Sequence, residues 1–570
     1  MSNQELAKIL NEMAAFLDMK EVEFKPRAYE HAAFSVQSLE EGVDEIYKKG
    51  GLKALEDIPG VGRGIAERIE EYIKTGRIKD YEKLKKQFPI DIEGLMAIDG
   101  VGPKLVKKLY QELKIKNLNE LEKAAKAGKL SKIEGLGEKS EQKILRGIEF
   151  LRQSHGRFLL GHILPTVRKM LDNLRVLSYV KRAEPAGSIR RMQETVGDLD
   201  ILVTSDKPSK VMEYFVNMPE AQDVLSSGPT KTSVRLEIGM DADLRVLPPE
   251  SFGAALQYFT GDKYHNIAVR EIAIKKGYKL NEYGLFKGKQ LVAGRTEEEI
   301  YKKLDMAWME PEIRTNSGEI EASLKGKLPK LIGYDDLRGD MQVQTDWTDG
   351  ENSIKEMAEA AKSQGLEYIV ITDHTKSLAM AGGSDEKKLE RQIKEIDKIQ
   401  KQISGIKILK GAEVNINKDG TLDINDETLK KLDVVGASVH SNFNMSEQDM
   451  TKRIIRAMEN PNVDILFHPT GRLIQKREPY KVNIDEIIKT AKRTKTVLEV
   501  NAYPERLDLK DEYIRKAVSA GVKLAINSDA HSVAHFKFLE FGIAQARRGW
   551  AKKNDVINTR PWQEMLKLLK

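Results

Sequence analysis

Residues 187–203 read GSIRRMQETVGDLDILV, and this stretch decides the fold of the chain's middle third. Residues 198–203 alternate carboxylates with apolar residues and end in an apolar run, which predicts a β-strand with one buried face. On a strand, Asp198 and Asp200 stand two apart and so point to the same side. A second β-rich run, DADLRVL at 241–247, carries Asp243, and an adjacent strand of this kind brings a third carboxylate beside the first two. Three such carboxylates hold divalent metal, and two ions about 3.5–4 Å apart can activate a 3′-hydroxyl and neutralise a departing pyrophosphate. Phosphoryl transfer is the chemistry implied, with Ser188 and Arg191 clamping phosphates. Asp-x-Asp alone also suits a solvated strand edge, but the Gly187-Ser188-x-Arg190-Arg191 turn just upstream weighs against that reading.

Outward from this centre the chain has 570 residues, enough for about three to five folding units. Its net charge of +6 permits anionic partners without proving them, and 40% hydrophobic residues indicate folded globular structure. The absence of cysteine excludes disulfides, cysteine nucleophiles, Cys-ligated zinc and iron–sulfur clusters, so any metal must use His, Asp and Glu. No basic and apolar leader opens the chain and no run of about 18 apolar residues occurs, which predicts a cytoplasmic, non-membrane protein.

Residues 1–155 carry apolar residues three and four apart and should be all helical. Three short segments repeat there: Ile58-Pro59-Gly60-Val61-Gly62, Ile98-Asp99-Gly100-Val101-Gly102 and Ile133-Glu134-Gly135-Leu136-Gly137. Paired glycines let a backbone approach an anion closely, and the helix N-terminus that follows turns N–H groups toward a phosphate. Such contacts ignore base identity. A single Gly-x-Gly can merely join packed helices, but three copies argue for phosphate, as do 12 Lys and Arg against 7 Asp and Glu in residues 101–150. The segments resemble helix-hairpin-helix motifs, which grip a DNA backbone through glycines here numbered Gly60, Gly62, Gly100, Gly102, Gly135 and Gly137. That resemblance also implies potassium or sodium on carbonyls of Glu56, Ile58 and Val61, and of Met96, Ile98 and Val101.

With the Gly-Ser turn and the Asp-x-Asp strand, Tyr258-Phe259-Thr260-Gly261 completes a set that resembles the family X DNA polymerases, the family of DNA polymerase beta, over about residues 1–316. The resemblance implies a helical 8-kDa-like domain (1–90), fingers with the hairpins (91–155), an α+β nucleotidyltransferase palm (156–247) and a thumb (248–316). It implies magnesium or manganese on Asp198, Asp200 and Asp243, with Asp243 also positioned to take or orient the primer proton. Ser188, Arg191 and Gly197 would contact the triphosphate, Tyr258 and Phe259 the sugar, and Asn266 and Arg270 the nascent pair. Lys25 and Tyr29 match positions that bind the 5′-phosphate of gapped DNA. The chain departs from the family at Val196, where a triphosphate-binding serine is common, and at Asp241, where the animal enzymes have arginine. Arg68 replaces the Schiff-base lysine and Gly64 a phosphate-binding lysine. A guanidinium is effectively never deprotonated, so gap recognition is expected without lyase chemistry at that position.

Residues 315–336 are polar and read as the boundary region, with a linker over 317–337. From 338 to 570 apolar β runs at 368–372, 406–414, 434–439, 463–468, 496–500 and 522–527 alternate with amphipathic helices, which suggests a closed or nearly closed barrel. His, Asp and Glu fall at the ends of these runs: Asp349, Asp373-His374, Glu413, His440, His468 and Asp529-x-His531. Convergent imidazoles and carboxylates suit manganese, zinc or iron. This part resembles the PHP domain, a distorted (β/α)7 barrel holding up to three metals. The resemblance implies metal ligands Asp349, His374, Glu413, His440, His468, Asp529 and His531, a 3′-5′ exonuclease that prefers manganese, and abasic-site or 3′-end processing. Where that family has His-x-His, this chain has Gln342-Val343-Gln344, and a neutral amide is a weaker ligand for transition metals.

Together these readings point to a monomeric DNA-directed polymerase filling short gaps in base excision repair or end joining, with gapped or nicked DNA, dNTPs and repair proteins as partners. The alternatives are a DNA-binding scaffold with degenerate metal sites, and a non-templated nucleotidyltransferase. Intact Asp198, Asp200 and Asp243 oppose the first; three hairpins and Tyr258-Phe259 oppose the second.

Overall fold

The structure is a computed structural model that describes residues 3–22, 25–37, 42–58, 60–96, 98, 101–133, 136–137, 140–142, 144–145, 148, 156–475, 477 and 479–570. It divides into two compact units, Met1–Arg157 and Phe158–Lys570. Among the described residues no helix is long and apolar enough to cross a membrane.

In the first unit the described elements are helices, as expected. Asn3–Met19, Lys25–Gln37, Val43–Glu56, Arg63–Thr75, Lys79–Gln87 and Pro103–Leu113 enclose one core that includes Leu6, Leu10, Phe16, Ile69 and Val106. The first and fourth residues of the three repeats are bonded alike: Val61 N–H donates to Ile58 O at 3.0 Å, Val101 to Ile98 at 3.0 Å and Leu136 to Ile133 at 2.9 Å. The apolar residues at positions one and four of each repeat fall inward, which is why they recur.

In the second unit a five-stranded sheet has the order Val180–Pro185, Asp198–Ser205, Asp241–Val246, Lys231–Leu236, Ala221–Ser227. Helices Leu160–Arg175 and Pro208–Val216 cover one face through Val167, Met170, Val211 and Phe215. Helix Phe252–Thr260 follows, then Lys263–Lys275, a three-stranded sheet of Lys279–Asn281, Gly284–Lys287 and Gln290–Ala293, and helix Glu297–Lys303. The stretch read as a linker begins with helix Glu319–Leu324. Glu319 is buried and accepts from His265 Nδ1, Asn316 N and Ser317 N, each at 2.7 Å.

Beyond it, seven parallel strands lie in sequence order: Gly339–Val343, Tyr368–Ile371, Lys407–Asn415, Val434–Ser438, Ile465–Leu466, Val497–Asn501 and Leu524–Asn527. The first and last edges meet, with Gln344 N–H donating to Ala530 O at 2.8 Å and Ala530 N–H to Gln342 O at 3.3 Å. The nearly closed barrel is filled by Met341, Tyr368, Val370, Leu409, Ile465 and Phe467, and its helices pack outside through a second apolar layer.

Barrel and palm are joined by largely buried ion pairs. Glu194, on the palm loop between Arg191 and Gly197, binds Arg472 at 2.6 and 3.2 Å and Gln545 Nε2 at 2.8 Å. Glu312, at the end of the thumb, binds Arg547 at 2.7 Å, and Leu507 and Phe541 of the barrel enter the palm core. Burial opposes ionisation of Glu194, but Arg472 and Arg548 hold its carboxyl below the usual range.

Candidate functional site

The palm strands 198–205 and 241–246 run parallel with Asp198 opposite Asp241 and Asp200 opposite Asp243. Period-two alternation therefore brings Asp198, Asp200 and Asp243 to one face. Burial, then the charges of Asp198 and Asp243, push the Asp200 carboxyl up to about 7. Mutual repulsion of this kind is what a divalent cation relieves, and the set fits one. Lys231 Nζ lies 2.8 Å from Asp243. Asp241 is instead neutralised by Arg235, whose Nη2 is 3.2 Å away.

The turn before the strand is fixed by Ala186 N–H donating to Asp200 O at 2.9 Å. Gly187 has φ +62°, and a Cβ there would stand 2.8 Å from Asp200 Oδ2, so only glycine fits. Ser188 and Gly197 are half-buried beside it. Val196 is wholly buried and pairs with Phe158, so the position where the polymerase family commonly has serine belongs here to the core. The two arginines divide their tasks. Arg190 ties the turn to Thr260 Oγ1 at 2.7 Å and to Glu297 at 2.7 and 2.8 Å, while Arg191 Nη1 donates to Thr260 O at 2.7 Å. Burial disfavours the Glu297 charge, yet Arg314 and Arg190 keep its carboxyl well below the usual range.

Tyr258 and Phe259 meet edge to face with centroids 5.1 Å apart, and Arg245 lies 4.8 Å over Phe259. Asn266 Nδ2 donates to Tyr258 O at 2.6 Å and Gly261 O at 2.9 Å, bracing that turn, and Arg270 Nε donates to Asn266 O at 3.3 Å.

In the barrel, the strand-end residues converge. Glu413 lies at the centre: His468 Nε2 is 2.9 Å and His440 Nε2 3.1 Å from Oε1, and His374 Nδ1 is 3.4 Å from Oε2. Two groups have ligand atoms close enough to share an ion, His374 with Glu413 and His440, and Asp349 with His374 and His531. Asp349 Oδ2 is 3.5 Å from His374 Nε2 and 3.8 Å from His531 Nε2. Burial would raise Glu413, but His374 and His440 hold it well below the usual carboxylate range. His374 Nδ1 is buried without a hydrogen-bond partner, an orphan that a cation would satisfy. These residues fit a transition metal.

The other side of Glu413 is filled by amides. Gln344 Nε2 donates to Glu413 Oε2 at 2.9 Å and Gln342 Nε2 to the same oxygen at 3.1 Å. Asp529, wholly buried, receives Asn501 Nδ2 at 3.1 Å, lies 3.3 Å from Arg506 Nε and 3.9 Å from His531 Nδ1. Asp373 turns away to bind Thr345 N at 2.8 Å and Oγ1 at 2.6 Å, so it braces a loop and does not face the cluster.

In the first unit Lys25 is exposed and Tyr29 is buried, with Arg68 Cζ 6.0 Å from the Tyr29 ring. Arg68 is ion-paired with Asp80 at 2.7 Å and donates to Gly64 O. A Cβ added to Gly62, Gly102 or Gly137 meets nothing within 4 Å, which leaves open space over three hairpins. Gly100 and Gly135 lie outside the described residues. The carbonyls of Ile58 and Ile98 accept the turn bonds noted above; Glu56 and Val61 flank the first turn, and Met96 and Val101 the second.

Sequence reasoning missed Lys231, Arg235, Asn415, Asn501 and Arg506. Asn415 stands two beyond Glu413 on one strand, and its Oδ1 is 2.7 Å from His440 Nδ1, so strand period alone could have found it. Arg506 lies in a loop and no local pattern marks it.

Four families match the chain: a helix-hairpin-helix domain over residues 1–78, a SAM-like helix-hairpin-helix tandem over 92–149, the DNA polymerase beta thumb over 255–315 and the PHP domain over 340–503. Over 575 aligned residues covering 100% of both chains, it is 36% identical to a Bacillus subtilis (strain 168) protein named DNA polymerase/3′-5′ exonuclease PolX. Over 218 residues, 36% of this chain and 84% of the relative, it is 33% identical to a probable phosphatase of Thermoanaerobacter sp. (strain X514). A probable phosphatase of Caldanaerobacter subterraneus subsp. tengcongensis is 33% identical over 190 residues, 32% of this chain and 70% of that one.

Proposed function

The chain belongs to the family X DNA polymerases that carry helix-hairpin-helix, thumb and PHP domains, and from that premise we propose that it fills short gaps during DNA repair and trims 3′ ends at its barrel. The observation that carries the first half is the register of Asp200 against Asp243 with Asp198 beside them. Asp198, Asp200 and Asp243 would hold magnesium or manganese, which would supply positive charge to the primer hydroxyl and the leaving pyrophosphate. Asp243 orients the primer proton, Ser188, Arg191 and Gly197 hold the triphosphate, and Tyr258 and Phe259 lie against the sugar. Asn266 supports that wall through the carbonyls of Tyr258 and Gly261, and Arg270 stands behind it. Lys25, Tyr29 and the hairpin glycines hold the gapped strand, with domains divided at about 90, 155, 247, 316 and 337. The hairpin carbonyls would hold potassium or sodium, and dNTPs and gapped DNA are the substrates of a monomer.

For the barrel, Asp349, His374, Glu413, His440 and His531 would hold manganese, zinc or iron, with His468 and Asp529 completing the wall. His468 and His440 both hydrogen-bond Glu413, so its carboxylate is fixed in orientation. Such a cluster supports phosphodiester hydrolysis at a 3′ end.

The test is a 5′-labelled primer in a one-nucleotide gap, incubated with magnesium or manganese, with and without dNTPs. Templated extension by one nucleotide, with shortening only without dNTPs, is expected. Asp200→Asn should abolish extension while gap binding persists, and His440→Ala should abolish shortening while extension persists. Extension by Asp200→Asn overturns the palm assignment, and shortening by His440→Ala overturns that of the barrel.

A further inference from the structure

Two barrel loops supply metal-site histidines and then continue side by side. Past His440, residues 442–446 line one wall of an open cleft of about 1590 Å3; past His468, residues 477 and 479–481 line another. The framework of the cleft is rigid. Arg453 is buried and donates to Asn417 O at 2.9 Å and to Ser441 O at 2.8 Å, so strand end, histidine loop and helix are held by one guanidinium. Tyr480, also buried, donates through its hydroxyl to Pro469 O at 2.7 Å, next to His468.

The cleft combines positive charge with flat surfaces. Phe443 stacks near Tyr480 at 6.2 Å and 16°, and Arg477 Cζ sits 4.3 Å over Phe443. Arg477 cannot swing freely, because its Nε and Nη2 donate to Gly471 O at 3.0 and 2.7 Å. Around this tier Lys418, Lys452 and Lys481 are exposed, and none has an ion-pair partner among the described residues. Of the two carboxylates of the lining, Asp419 is paired with Arg456 at 3.5 Å and Asp449 accepts from Ser446 Oγ at 2.7 Å, so positive side chains outnumber negative ones in the cleft. Uncompensated lysines around a held cation–aromatic tier suit a polyanion that also offers planar faces. Single-stranded nucleic acid is that polymer, since its bases are free to stack and its phosphates to pair with lysine.

The geometry points to this cleft as the track for the strand being degraded: single-stranded DNA lies along it, phosphates on Lys418, Lys452 and Lys481 and a base on the Phe443–Arg477 tier, its 3′ end delivered between His440 and His468. This rests on the exonuclease reading of the barrel. It adds a binding site several nucleotides long, built by the loops that carry two ligands.

The full chain in manganese is given thymidine 5′-monophosphate p-nitrophenyl ester and oligothymidylates of increasing length. The ester is too short to reach the cleft and reports the metal cluster alone. Wild-type kcat/KM should rise with length up to about six to eight nucleotides. Lys418→Glu/Lys452→Glu/Lys481→Glu should flatten that rise, raising KM for the longest substrate at least about tenfold with ester turnover retained, and lowering the salt slope of log KM by about 2, or 0.7 per lost phosphate contact. Phe443→Ala should raise the same KM about tenfold without changing the salt slope. Unchanged KM in both variants, with the ester still cleaved, overturns the cleft assignment alone. Failure of wild type to cleave ester or oligonucleotide overturns the exonuclease reading and the cleft with it. Polyglutamate inhibiting as strongly as a phosphorothioate oligothymidylate would assign the cleft to an acidic protein instead.

Discussion

Arg472 of the barrel and Glu194 of the palm form a two-pronged ion pair, at 2.6 and 3.2 Å, across 278 residues of sequence. The same guanidinium donates to Arg506 O at 2.8 Å, and Arg506 in turn faces Asp529. One largely buried side chain thus touches the loop that bears Arg191 and Gly197 and the strand-end loop that flanks the barrel cluster. Removing Glu194 leaves Arg472 and part of Arg548 without a counter-charge, which costs about 3–5 kcal/mol for a buried pair. Glu194→Ala should lower the unfolding temperature of the second unit and reduce nucleotide affinity in gap filling, while Glu194→Ala/Arg472→Met should recover stability. Calorimetry on the single and double variants decides it; additive losses would mean that the pair does not couple the domains.

Asp200 gives a pH signature. Its native carboxyl is pushed from 3.8 up to about 7, so between these values the native state holds a proton that the unfolded chain has released. That stability is complete below pH about 4 and is lost as the pH rises through 7, by at most about 1.4 kcal/mol per pH unit. In chelator, wild type should therefore fall in unfolding temperature relative to Asp200→Asn between pH about 5 and 7.5. Saturating magnesium should cancel the fall. Parallel profiles in chelator would show that neither burial nor the neighbouring carboxylates raise the Asp200 carboxyl.

Much of this architecture is legible in the chain, and the remainder is hidden for definite reasons. Asp198, Asp200 and Asp243 follow from strand period, and six barrel strands follow from apolar runs. The first barrel strand, Gly339–Val343, escaped because it buries Asp340 and Gln342. Asp340 is tolerated there because Ser528 N and Gln342 N donate to it, both at 3.2 Å. The run 463–468 suggests a longer strand than Ile465–Leu466. His468 adopts φ +28° and its N–H donates to Glu499 Oε2 at 2.7 Å, ending the ladder early. The Glu194–Arg472 pair left no trace, since each partner lies in a polar loop without periodicity.

Gln342 and Gln344 direct amide N–H groups at Glu413 Oε2, where imidazoles would present lone pairs to a cation. An N–H donor on that oxygen competes with metal. The Gln342→His/Gln344→His variant should hold one more manganese per chain than wild type after dialysis, counted by elemental analysis, and its nuclease should need less manganese for half activity. An unchanged count would mean that Arg506 beside Asp529, rather than the amides, closes that position.

The hairpin glycines separate a structural role from a DNA-binding one. Gly62 and Gly102 have φ −77° and −94°, open to any residue, and an added Cβ at either meets nothing. The fold itself does not require them, so Gly62→Val/Gly102→Val should cost only about 1 kcal/mol per helix cap. Their methyl groups would occupy the space through which a phosphate reaches the helix N–H groups, and gapped-DNA affinity should fall at least about tenfold. Gly60 provides the contrast. Its φ of +78° strains any side chain, so Gly60→Val should lose stability and affinity together. Fluorescence anisotropy with a labelled gapped duplex, read beside thermal unfolding, tests both. Wild-type affinity in a folded Gly62→Val/Gly102→Val protein would mean that the repeats only join helices and that gap binding lies elsewhere.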